Sequence, residues 1–289
     1  MRRDLTIGLA AVTAAFLGGF LATVSPEAQA PTPTGQFQPG YKAARTADGK
    51  PDFNGIWQAM NSANWNLEDH PGSAGVASSA IGIYGAEPPG LGVVEGGPIP
   101  YQPAALAKRN ANFAKRVVSD PQDRFSGDPE AKCYMPGLPR AAYMPYPFQI
   151  IQGTDKLVFA YQFADTGRIV YLGKAPAAPA DSWMGMSSAR FEGDTLVVTA
   201  TDFNDESWLD RAGNYHSDAL KVTERFTPVS PYHLMYEATI DDAKVFTRPW
   251  KISFPLYRHM EKNARLLEFK CVEFAEPFLY GMLRRPSSR

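Results

Sequence analysis

Hydrophobic and polar positions divide the chain at Phe148. From there onward, short runs rich in β-branched and aromatic residues follow one another: FQIIQ (148–152), KLVFAYQF (156–163), RIVYLG (168–173), SSARFEG (187–193), TLVVTATDF (195–203), LKVTERF (220–226), HLMYEATI (233–240), KVFTRPWKISF (244–254) and RLLEFKCVEF (265–274). Several alternate with the period of two that a half-buried strand requires, and turn residues such as Gly153-Thr154-Asp155 and Glu192-Gly193-Asp194 separate most of them. Most connections are too short for crossover helices, so neighbours are expected to pair antiparallel, as an up-and-down meander that closes into a barrel or folds into a sandwich. Closure removes the exposed edges and favours the barrel. In LKVTERF the alternation puts Glu224 and Arg225 on opposite faces, so the inward one needs a buried partner.

Residues 31–147 read differently. Gly-Pro clusters such as GAEPPGLG (85–92) interrupt them, and no long alternating run occurs. One helix is expected over 103–119, opened by Pro103 and dominated by Ala and Lys. The aromatic residues Tyr41, Phe53, Trp57, Trp65, Tyr84 and Tyr101 argue that this arm covers a core, because disordered segments are poor in them. The reading is therefore a mainly β protein, with an irregular Pro/Gly-rich arm (31–147), an antiparallel β domain (148–275) and a C-terminal tail (276–289).

The 289 residues, 44 % of them hydrophobic, suffice for a full core, and 29 Lys plus Arg against 30 Asp plus Glu leave no basic field to attract nucleic acid. Residues 1–30 read as an export signal. Arg2-Arg3 precede an apolar run from Leu5 to Val24, and Ala28-Gln29-Ala30 has the form of a cleavage site. Pro31 sits where it opposes cleavage, and the run is long enough to span a bilayer, so a retained N-terminal anchor is the alternative. Either way the body is expected outside the cytoplasm, periplasmic or secreted. In that compartment the two cysteines, Cys133 and Cys271, are expected to form a disulfide worth about 5 kcal/mol, the alternative being two buried thiols.

Several stretches together resemble an exported bacterial family: DGKPDFNGIW (48–57), CYMPGLPR (133–140), the EGDTLVV turn and strand (192–198), and HSDALKVTERF (216–226). The chain departs from that pattern after 171, where LGKAPAAP (172–179) replaces a DGR-x-HP-like stretch, and the resemblance brings no activity with it. The Glu-Gly-Asp-Thr-Leu turn is also similar to that of small lipocalin-like barrels, a likeness of fold and not of function.

Chemistry-bearing side chains concentrate in the loop 203–226. His216 suits proton transfer near neutral pH, and Asp210, across a turn containing Gly213, is placed to orient it. The alternative is a histidine bonded to loop backbone. No G-x-S-x-G elbow occurs. Asp202, Asn204, Glu206 and Asp210 resemble a calcium loop only faintly, with Ser207 where glycine belongs. The four histidines stand too far apart for a zinc motif, so no metal or cofactor is expected. Ligand contacts are expected from Trp57, Tyr146, Trp183, Asn204, Trp208 and Trp250, with Arg140 as a forked donor; the aromatic ones serve equally well as core. Three functions follow. The first is an extracytoplasmic barrel binding a small hydrophobic or aromatic molecule. The second is a cofactor-independent lyase, isomerase or hydrolase using His216 and Asp210. The third is an accessory subunit of a membrane-associated complex.

Overall fold

The computed structural model describes residues 38, 40–74, 86–116 and 127–270. The elements are β1 (Gly55–Ala59), β2 (Ser73–Ala74), β3 (Ala86–Glu87), α1 (Pro103–Lys115), β4 (Phe148–Gln152), β5 (Lys156–Tyr161), β6 (Thr166–Leu172), β7 (Met186–Glu192), β8 (Thr195–Thr201), β9 (Lys221–Ser230), β10 (His233–Asp241) and β11 (Trp250–Arg258). Nine of these strands close a barrel in the order β1-β11-β10-β9-β8-β7-β6-β5-β4. The barrel alternative was the correct one, and the reason is visible in β1, which pairs antiparallel with β11 on one side and β4 on the other, leaving no free edge.

Two features correct the expected meander. The ninth strand is not 265–274: residues 265–270 run without strand pairing, and 271–274 lie outside the described residues. It is Gly55–Ala59, from the segment read as an irregular arm. Five residues among prolines and glycines give too short a pattern to stand out, whereas β11 and β4 both offer it hydrogen-bonding edges. The other correction is at β6 and β7, which run parallel through three rungs, Val170↔Ser187, Tyr171↔Ser188 and Leu172↔Ala189. The connection 173–185 returns the chain to the end of the barrel where β6 began, without a helix. Thr166–Ile169 consequently pair only with β5. The strand expected over 244–254 begins at Trp250, because Asp242 accepts from the backbone of Val245 and Phe246 through its carbonyl and folds 242–249 into a turn. Helix α1 ends at Lys115, and 117–119 lie outside the described residues.

Strict alternation fixes the inner wall. Along β9, Val222, Glu224, Phe226 and Pro228 are inward, and along β10 Leu234, Tyr236, Ala238 and Ile240. Inward rings pack in sequence around the interior. Centroid separations are 6.2 Å for Phe148–Phe159, 5.5 Å for Phe159–Phe226, 5.0 Å for Phe226–Tyr236 and 4.9 Å for Tyr236–Phe254. The arm covers this core as expected: Phe53, Ala63 and Leu67 are fully buried.

Candidate functional site

The loop leaving β8 folds back over one end of the barrel, held from three sides. Its centre is Asp210, whose carboxylate accepts from the Leu67 backbone N–H (2.9 Å), the Asn214 backbone N–H (3.1 Å) and the Asn214 side-chain amide (2.5 Å). Helix α1 lies against the loop, where Asn112 donates to the Gly213 carbonyl and Tyr215 donates to the Ala105 carbonyl. Gly213 has φ +85°, and a Cβ there would stand 2.7 Å from that of Asn112. Tyr143, on the turn Arg140–Ala142, donates to the Leu209 carbonyl and sets its ring edge-on to Phe254 of the inner wall, joining loop to barrel.

Beneath the loop lies a buried charge cluster. Arg140 meets Asp128 through Nη1 and Nη2, both at 2.9 Å, and also reaches Glu130 (2.6 Å) and the Asn64 side-chain Oδ1 (2.7 Å). Arg211 grips the same Glu130 with Nε at 2.7 Å and Nη2 at 2.6 Å, and its guanidinium lies 4.2 Å from the Trp65 ring centroid. Burial pushes the Glu130 carboxyl up, but Arg211 and Arg140 outweigh it and hold its pKa at about 2. For Asp210 burial wins, and the carboxyl is pushed up to about 6.

The expected dyad is not formed. His216 is 1 % exposed. Its Nδ1 faces the Ser217 carbonyl (2.9 Å) and its Nε2 the Ser207 hydroxyl (2.7 Å), while Asp210 is occupied by Leu67 and Asn214. Because a carbonyl can only accept, Nδ1 carries the proton and Nε2 accepts from Ser207. Burial lowers the His216 pKa, against the opposing influence of the Ser217 bond and of Asp242, so the ring is neutral near pH 7. The carboxylates that act on it are Asp242, which accepts from the Ser217 backbone N–H (2.6 Å) and hydroxyl (2.9 Å), and Asp205. Nothing in the local sequence distinguishes Asp242 from Asp210 as such an acid.

The proposed ligand residues fall into two groups. Arg140, Tyr146, Trp183, Asn204 and Trp208 belong with the loop. Arg140 Nη1 lies 3.5 Å from the Trp208 carbonyl, Tyr146 feels the Glu130 charge, and Gly137 stands between Ser207 and the Trp183 carbonyl. Trp183 and Trp208 are half-buried, the former 5.3 Å from the Tyr134 ring. Trp57 and Trp250 are instead core residues: Trp57 donates to the Phe53 carbonyl and supports the Arg258 guanidinium, and Trp250 packs on Phe246. Among the described residues no group of three or more His, Cys, Asp or Glu side chains is placed to hold a metal ion. Cys133 is not a free thiol; Cys271 lies outside the described residues.

Sequence reasoning missed a polar centre inside the barrel. Arg168 projects inward from β6, donates through Nε to Ser187 of β7 (2.9 Å) and through Nη2 to Glu224 of β9. Tyr236 donates to the other Glu224 oxygen (2.9 Å). Arg225 faces out and pairs with Glu192, as the alternation required. Parity in RIVYLG, which sends Arg168 to the same side as the apolar Val170, was the available signal.

No family model matches the chain, and no curated protein matches it. An alanine mutant of the fluorescent protein UnaG is a similar solved structure, at 17 % identity and a TM-score of 0.26 over 40 % of this chain and 72 % of that one. A TM-score that low carries no argument, and the barrel is established by its own strand pairing.

Proposed function

We propose that this is an extracytoplasmic binding protein whose barrel holds a small hydrophobic or aromatic molecule. One observation carries the reading: a closed barrel, lined by contiguous aromatic rings, has a wall seam of only three rungs between β6 and β7. The inward rings pack on one another, and a guest would enter beside Thr166–Ile169, which have a strand neighbour on one side only. The leader expected at 1–30, the family resemblance and a Cys133 that is not a free thiol support the address. Native mass spectrometry of protein purified from its own host tests the function: a retained apolar molecule is expected, and a bare polypeptide mass from folded protein would refute it. Cell fractionation with N-terminal sequencing tests the address, and protein found soluble in the cytoplasm with an intact Met1 contradicts it.

A second reading is hydrolytic, favoured by the 2.7 Å contact between Ser207 and a neutral His216. Ser207 would add to an ester carbonyl carbon as its proton passes to Nε2 and the C=O π pair moves to oxygen. Collapse would expel the alcohol, protonated from Nε2, and water would release the acid from Ser207. The Ser217 carbonyl would orient the ring, with Asp242 holding Ser217 through its N–H and hydroxyl. Labelling of the native protein with a fluorophosphonate decides it. Modification of Ser207 in the wild type and its loss in Ser207→Ala supports the reading; an unmodified Ser207 removes it.

A further inference from the structure

Inside the barrel the polar groups are unevenly matched. Glu224 accepts from both Arg168 and Tyr236, so its two oxygens are served. Arg168 is 3 % exposed and uses Nε and Nη2; the buried Tyr161 phenol also lies against its guanidinium, but Nη1 makes no well-aligned hydrogen bond. Trp250 is the same case, with Nε1 buried and unpartnered. It lies on the inward rung Val222↔Ile240↔Trp250, next to the rung Glu224↔Ala238↔Ile252. Both orphans are N–H donors. An unsatisfied buried donor is costly, and a native interior seldom tolerates one without a reason. Arg168 also lies within Thr166–Ile169, the stretch of β6 that the seam leaves unpaired on one side, and its guanidinium is 5.3 Å from the Phe159 ring centroid.

We infer that the barrel selects an uncharged apolar molecule carrying a hydrogen-bond acceptor, a carbonyl above all, which takes up Arg168 Nη1 beside the β6–β7 seam. This rests on the binding reading above and names its ligand class. The electrical balance argues for neutrality. Arg168 already has a full counter-charge in Glu224, so a carboxylate guest would place a second anion beside the first in a medium that screens little. A ketone or aldehyde oxygen supplies what the wall lacks and brings no charge, while its hydrocarbon part lies among Phe159, Phe226 and Tyr236. A guest without an acceptor leaves the donor as it was and gains only apolar contact.

Isothermal titration with three naphthalenes of like size tests this: 2-acetylnaphthalene, 2-ethylnaphthalene and 2-naphthoate. The ketone is expected to bind about ten-fold or more tightly than the hydrocarbon, as a hydrogen bond to a charged donor implies, with the carboxylate weakest. Replacing the pair together, Arg168→Met with Glu224→Leu, avoids stranding one buried charge and is expected to leave ketone and hydrocarbon equal. Equal binding of the two by the wild type would overturn the inference and leave the binding reading intact. Preference for naphthoate would overturn the neutral class, and a ketone preference that survives in the double variant would overturn the assignment to Arg168. If none of the three binds, the binding reading fails and the inference falls with it.

Discussion

Asp128 and Arg140 meet as a two-pronged pair, with both oxygens of the carboxylate at 2.9 Å from the two terminal nitrogens of the guanidinium and both side chains closed to solvent. Removing one member strands a charge that cannot be rehydrated. Arg140→Ala is therefore expected to destabilise the protein by about 3–5 kcal/mol. Arg140→Lys should recover little of it, since an ammonium cannot reproduce the fork. Urea denaturation of the three proteins checks both values; a loss below about 1 kcal/mol for Arg140→Ala would show that the cluster is not structural.

His216 sets a dependence on acid. Burial holds its folded pKa below the ordinary histidine value of about 6.5, so between the two the unfolded chain binds a proton that the folded one refuses. Its contribution to stability is complete above about pH 6.5 and is lost as pH falls toward the lower, folded pKa. His216→Gln should flatten this part of the profile, giving a smaller loss than the wild type between pH 7.5 and 5.5 in denaturant titrations. Identical slopes would mean that His216 is not held neutral by burial.

Gly213 is the contact through which α1 seats on the loop. Gly213→Ala meets both a left-handed backbone and Asn112, so a loss of about 2 kcal/mol or more is expected. Thermal unfolding gives the magnitude, and hydrogen exchange at the amides of 207–217 locates it. An unaffected melting temperature would contradict the packing.

The cysteines offer a simple check. Titration of denatured, unreduced protein should find no reactive thiol, consistent with a Cys133 that is not free. Two reactive thiols would remove the pairing with Cys271.

Strand positions were legible because β-branched alternation is local: β10 was read to within one residue, and β9 was placed to within one residue at its start but runs on to Ser230, past the expected end at 226. The partner of Glu224 was not, because parity demands a counter-charge without saying which strand lies opposite. The same limit hid the loop's role. Asp210 and Arg211 look like solvated polar residues, yet groups that allow their burial, Asn64, Leu67 and Glu130, lie far back in the arm. Near His216 only Asn214 hints that Asp210 is engaged; its other partner, the Leu67 N–H, lies 143 residues back. β1 and the parallel seam escaped for a related reason: both are settled by which edges remain open after the other strands have paired.

That closing strand has a consequence for how the protein is made. Gly55–Ala59 leave the ribosome early, meet one ladder partner when Phe148–Gln152 follow, and find the second only when Trp250–Arg258 have followed. The hairpins of the middle, such as β9 with β10, can form as they emerge, but the ring cannot shut until almost the whole chain is available. A nascent chain stopped before Trp250 keeps two raw strand edges, on β1 and β10, and both invite pairing with a neighbouring copy. The last strand therefore acts as a latch, and its completion separates a template for aggregation from a ring in which β1 and β10 are both paired.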